Sequence, residues 1–400
     1  MSQETASLPT DYSDLFRSHI VRSVARSASR LEAGEGLPAA DERNQALHTL
    51  SYALDLEEIW PETRALLLAL APRMEQAGHR DDWIPYLSQG VQQSHRLDDI
   101  SAEAALRWHL GVILELQSRF ADAREQLELS AAQFAACADN RNQARALNRL
   151  ALIARLQRQP VEASSLVDHT LELLEPEDTE RAYCYIIKGA LALDARTWED
   201  AATCFNTSIA ILRPGDQRRM LAWSLSNLGA ALRQKGDTAQ AIACYEEAIA
   251  IFLEVEDPVH LASARMNLGN VYLKAGDPQR ALEYYRAAEP VFRQVQETLR
   301  LASIYLNIGM ACRELGMWVE SERSMKTSID LFAQLELPED VANVREEMGR
   351  TYRAQGQTGE AAQQFEKALA ILRDTPADPA WIRSIETQLS EIRAAAPADN

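Results

Sequence analysis

The chain is 400 residues long and 46% hydrophobic, with 16 glycines, 15 prolines and a formal charge of −18. Abundant Ala and Leu favour helix, because these side chains lose little freedom in a helical turn, and Val, Ile and Thr never cluster in the alternating runs of strands. The acidic balance argues against nucleic acid as a partner, since a phosphate backbone would be repelled.

Taken in chain order, MSQETASLPTDYSD lacks both the basic flank and the apolar core of a signal peptide, and residues 1–10 are expected to be a disordered tail. Residues 12–33 and 41–57 read as two helices. Leu47 stands 40 residues before Leu87 (87 − 47), which marks 11–58 as a degenerate first hairpin in which Arg43 and Leu50 replace small residues. Arg22, Arg26 and Arg30, spaced by four, read as a solvated stripe on the first helix. The most apolar window, Ala65 to Ala71, is too short to span a bilayer, so no membrane association is expected. An odd count of 5 cysteines without paired spacing points to a reducing compartment, hence the cytoplasm.

From 59 to 378 the chain repeats. NLGAALRQKGDTAQAIACYEEAIAIF from Asn227 can be laid over NLGNVYLKAGDPQRALEYYRAAEPVF from Asn267 and NIGMACRELGMWVESERSMKTSIDLF from Asn307. A small anchor recurs at Ala71, Gly111, Ala151, Gly189, Gly229, Gly269, Gly309 and Gly349, and only the step 189 − 151 = 38 departs from 40. That makes eight units in register. Sixteen residues after each anchor stands a larger apolar residue, such as Leu127, Phe205, Tyr245, Tyr285 or Phe365, flanked at helical spacing by small ones such as Ala281 and Ala288. The small positions let two helix backbones approach while the large one fills the hole beside them. Trp198 and Trp318, three before the second small residue, read as hairpin packing. Lys235-Gly236-Asp237, Ala275-Gly276-Asp277-Pro278 and Gln355-Gly356-Gln357 are turns in which Gly accepts a left-handed conformation and Asp caps the next helix. Pro379 opens a last amphipathic helix, 379–395, with Trp381, Ile382, Ile385, Leu389 and Ile392 on one face. It serves as the end cap that an array needs, and 396–400 are expected to be disordered.

Leu268-Gly269-x-x-Tyr272 followed by Ala281-x-x-x-Tyr285 and Ala288 resembles the tetratricopeptide repeat signature, and Met348-Gly349-x-x-Tyr352 with Ala361-x-x-x-Phe365 repeats it. The resemblance covers roughly 60 to 375, in the long-repeat variety found in kinesin light chains, spindle-orientation adaptors and sensors of bacterial signalling ATPases. It implies an all-α, right-handed α-solenoid of helical hairpins between terminal capping helices. Its implied function is non-enzymatic: a scaffold, adaptor or sensor that holds a peptide or protein segment in a concave groove.

By helical phase, the inner wall of such an array takes residues about six, three and two before each anchor and one, four and five after it. These positions hold Asn227, Asn267 and Asn307 as a ladder; Asn270 and Met310; Trp108, Tyr183, Trp223, Ile186, Met266 and Leu306; and a basic row of Arg155, Arg233, Lys274, Arg313 and Arg353. Amides carry donors and an acceptor and can bond to any extended backbone, apolar neighbours select side chains, and the cations select acidic groups. In the family, Asn two before the anchor often contacts ligand. The chaperone-tail clamp would also need Lys or Arg three before or one after the anchor, a demand met only by Arg350.

No G-x-x-x-x-G-K, G-x-S-x-G or C-x-x-C is present, and no histidine pair has H-x-x-x-H spacing. No cofactor or metal is expected. His109 falls on the wall without an evident partner for general-base work. The alternative function is regulatory: some proteins of this fold are response-regulator phosphatases or peptide-sensing regulators with an amino-terminal helical bundle, an element that 12–57 could supply.

Overall fold

The structure is a computed structural model that describes residues 12–33, 40–77 and 80–395. The two tails expected to be disordered, 1–10 and 396–400, lie outside the described residues. Regular structure among the described residues is all helical, and the chain divides into two compact units, Met1–Asp216 and Gln217–Asn400.

In the first unit, α1 (Tyr12–Ala33) packs on α2 (Ala40–Ala53) and α3 (Trp60–Ala77). The helix expected over 41–57 ends at Ala53, because Leu56 is extended (φ −105, ψ 101) ahead of a 3₁₀ turn at Glu57–Ile59. Then follow α4 (Arg80–Arg96), α5 (Ile100–Leu116), α6 (Phe120–Ala136), α7 (Asn140–Leu156), α8 (Pro160–Leu173), α9 (Arg181–Asp194) and α10 (Trp198–Leu212). The second unit holds α11 (Arg218–Lys235), α12 (Thr238–Glu254), α13 (Pro258–Lys274), α14 (Pro278–Gln294), α15 (Thr298–Glu314), α16 (Trp318–Gln334), α17 (Pro338–Ala354), α18 (Thr358–Arg373) and α19 (Pro379–Ala395). Each anchor lies in the first helix of a hairpin and each large partner in the second.

The anchor is small because its partner lies on top of it. A Cβ built on Gly269 would stand 2.6 Å from Tyr285 Cε1, one on Gly189 2.6 Å from Phe205 Cε1, and one on Gly309 2.6 Å from Met325 Cγ. Where the anchor is Ala151, the partner shrinks to Val167, also fully buried. Ser130 and Ser328, 19 after their anchors (130 − 111, 328 − 309), do more than stay small. Their buried hydroxyls donate to the carbonyls of Ala104 and Ala302 at 2.8 Å, tying second helix to first.

Helix starts follow the sequence closely. Asp99, Asp139, Asp257 and Asp277 each accept the backbone N–H three residues on, and proline opens α8, α13, α14 and α17. Asp237, expected to cap, makes no such bond. Gly236, Gly276 and Gly356 adopt the expected left-handed turns. The turns between hairpins use the same conformation without glycine: Glu256, Gln296 and Glu336 have φ of 50°, 56° and 55°. At the carboxyl end Ile385, Leu389 and Ile392 of α19 are buried against Phe365 and Leu369, with Trp381 and Ile382 packed beside them.

Candidate ligand-binding site

In the second unit the first helices touch in series, α11 with α13, α13 with α15 and α15 with α17. They carry the asparagine ladder: Asn227 on α11, Asn267 on α13 and Asn307 on α15, all half-buried. Asn227, Asn267 and Asn307 make no side-chain hydrogen bond among the described residues, so their amides are unspent. A cavity of about 650 Å³ opens on this wall, lined by Arg233, Asn270, Leu273, Lys274, Gly276, Pro278, Asn307, Met310, Arg313 and Glu314. Six of the residues expected on the wall (Arg233, Asn270, Lys274, Asn307, Met310 and Arg313) therefore meet at one place. Leu273, Gly276, Pro278 and Glu314 were not anticipated; the first three run from the end of α13 through the turn to the first residue of α14.

The polar groups here are not equivalent. Asn270 Oδ1 accepts the Tyr285 hydroxyl at 2.7 Å, and burial pushes the Tyr285 phenol above its ordinary pKa. Asn270 keeps both of its amide N–H donors. Arg313 donates through Nη1 to Glu347 at 2.6 Å and through Nε to Glu314 at 3.0 Å. Burial works to lower the Arg313 pKa, but the two carboxylates outweigh it and hold it above its ordinary value. Arg233 and Lys274 have no carboxylate in salt-bridge range among the described residues, and the buried Arg233 Nε has no hydrogen-bond acceptor.

The other expected positions lie elsewhere. Trp223 is half-buried with its ring edge against His260, centroids 4.9 Å apart. Met266 is half-buried outside the cavity, while Leu306 is 8% exposed and belongs to the core of its hairpin. Tyr183, in the first unit, is 7% exposed beneath the Arg149 guanidinium, 5.5 Å from its ring centre. Arg353 is drawn toward Glu391 of α19 at 3.7 Å, because the terminal helix occupies the place of a next wall helix. That helix is fixed by Glu346, which accepts from Trp381 Nε1 at 2.7 Å and from Gln388 Nε2 at 2.9 Å.

The matching face of the first unit is largely satisfied internally. His109 does have a partner, Glu75 Oε1 at 2.8 Å, on the neighbouring first helix; a separation of 34 residues hid the pair from motif reading. Arg145 covers the Trp108 ring at 4.1 Å, Arg149 pairs with Glu115 at 3.2 Å, and Arg155 with Asp194 at 2.6 Å.

The sequence profile of the tetratricopeptide repeat family matches residues 178–254, 221–294 and 300–374. No curated protein is detectably related to the chain by sequence. Among solved structures, the signal transduction ATPase with a tetratricopeptide repeat sensor from Pyrococcus horikoshii superposes with a TM-score of 0.62 at 15% identity, over 94% of this chain and 54% of that one. A Rap protein complexed with competence and sporulation factor gives 0.57 at 17% identity, over 94% and 99%. Aspartyl phosphate phosphatase F from Bacillus subtilis gives 0.53 at 14%, over 92% and 96%. At these identities the likeness is one of fold. With anchors, partners and hairpins in the same frame as the matched profile, residues 178–294 and 300–374 of the chain are tetratricopeptide repeats.

Proposed function

We propose that the chain is a non-enzymatic interaction scaffold, an adaptor or sensor that holds a peptide or an extended segment of a partner protein against the wall of its second unit. The observation that carries this reading is the meeting of Asn270 and Asn307 with Leu273 and Met310 in one cavity, continued along the wall by the unspent amides of Asn227 and Asn267. Amides at that spacing can bond to a backbone whatever its sequence, while the apolar neighbours sort its side chains. A Rap protein of the same fold was solved with competence and sporulation factor. Asn227, Asn267 and Asn307 changed together to Ala should weaken a partner captured from native cytosol, each lost bond costing roughly 0.5–1.5 kcal/mol. Unchanged affinity in a titration of that partner would sink the assignment of the wall.

A second reading draws on the Rap and phosphatase neighbours: a regulator acting on a phosphorylated signalling partner. Dephosphorylation of a phosphorylated response regulator by the purified chain would support it, and a rate equal to spontaneous hydrolysis would retire it.

A further inference from the structure

Three cations, Arg233, Lys274 and Arg313, line one cavity of a chain whose formal charge is −18. Like charges gathered at one site repel unless something of opposite sign lies among them. For Arg313 the chain supplies it, through Glu347 and Glu314. For Arg233 and Lys274 it supplies nothing among the described residues. Arg233 Nε is moreover buried without an acceptor, a rare condition for a guanidinium N–H in a folded protein. Beside them Asn270 accepts the Tyr285 hydroxyl through Oδ1 and keeps both amide N–H donors. The cavity therefore holds two positive charges, on Arg233 and Lys274, with no carboxylate in salt-bridge range of either among the described residues, beside the amides of Asn270 and Asn307. A peptide carbonyl offers two lone pairs and no charge; a carboxylate offers about four acceptor sites and the missing charge, and Arg can engage it bidentately.

We propose, on the footing of the peptide-holding wall above, that this cavity is the specificity pocket for an acidic side chain of the bound segment. Arg233 and Asn270 hold an Asp or Glu carboxylate by hydrogen bonds, and the exposed Lys274 acts on it as a point charge. Elsewhere the net negative charge of the protein repels acidic peptides, so a preference for them must arise locally.

The test probes an array of random dodecapeptides with the full chain, then remakes the strongest binders with each Asp changed to Asn and each Glu to Gln. One acidic position should stand out, its amide isostere binding about tenfold weaker or worse, as expected for a charged hydrogen bond. Arg233→Gln and Lys274→Gln should each shrink that gap, whereas Lys367→Gln, exposed on α18, should leave it unchanged. Lys274 is exposed, so its variant reports even if Arg233→Gln impairs folding. If acid and amide peptides bind alike, the pocket does not select anions, though the wall reading stands. A gap that survives both cavity variants places acid recognition elsewhere and overturns the proposal. Should no peptide be retained by either wild type or the triple Asn variant, both the pocket and the wall fall.

Discussion

The Tyr285 hydroxyl donates to Asn270 Oδ1 at 2.7 Å, whereas the Tyr245 hydroxyl, at the same place one repeat earlier (285 − 245 = 40), is buried with no partner. The difference is one residue: position 230, the counterpart of Asn270, is Ala. Ala230→Asn should therefore supply Tyr245 with its acceptor. Asn is a poorer helix former than Ala, so the informative quantity is the coupling in a double-mutant cycle with Tyr245→Phe, expected at about 1 kcal/mol. Thermal unfolding of the four proteins measures it, and zero coupling would mean that the two side chains do not meet.

Gly189→Ala places a Cβ 2.6 Å from the Phe205 ring. Overpacking of this kind costs about 1–3 kcal/mol, more than the helix propensity that Ala gains. The companion change Phe205→Val reproduces the Ala151 and Val167 pair already present in the preceding repeat. Gly189→Ala should accordingly be less damaging in the Phe205→Val background than alone, as read from urea midpoints.

Gln296 and Glu336 hold left-handed backbone at φ of 56° and 55°, a conformation that disfavours any residue with a Cβ. Either residue changed to Gly should stabilise the protein by about 0.5–1 kcal/mol after allowing for glycine's greater freedom in the unfolded chain. Gly236→Ala, at φ 96°, should do the reverse. Calorimetric melting temperatures decide all three.

Asp257 is desolvated, which raises its pKa, yet bonds from the His260 ring at 2.8 Å and backbone at 3.1 Å, with Arg219 nearby, bring it below the ordinary value of 3.8. A carboxyl held lower in the fold than in the unfolded chain stabilises the fold at pH above the unfolded value and loses that contribution as pH falls through the folded one. Asp257→Asn, which keeps the helix cap, should lower stability by about 1–2 kcal/mol at pH 7 and by progressively less below pH ~4. Melting temperatures of both proteins across that range test the convergence.

The repeating frame was legible because packing writes it in residue size. A glycine under Tyr285 and a larger residue over Gly229 are visible as letters, and so are the Asp and Pro at helix starts. Hydrogen-bond partners across helices are not, which is why Ser130 and Ser328 read only as small, and His109 as solitary, although Glu75 is 2.8 Å away. Helical phase placed Arg233, Lys274, Asn270, Asn307 and Arg313 on one wall. It could not distinguish Arg313, already neutralised by two carboxylates, from Arg233, which is not. Nor could it foresee that α19 would draw Arg353 toward Glu391. The left-handed joints at Gln296 and Glu336 were missed because backbone context, rather than glycine, sets them.

Asn270 serves two masters, since its amide oxygen holds a buried phenol and the residue also lines the cavity. Lys274, on the surface with no partner among the described residues, has no such double duty. Divergence among descendants of this chain is thus constrained in its order. Lys274 can be exchanged at any time, but Asn270 can be replaced without loss of stability only after Tyr285 has become Phe. Lineages that change ligand preference should carry the Phe first.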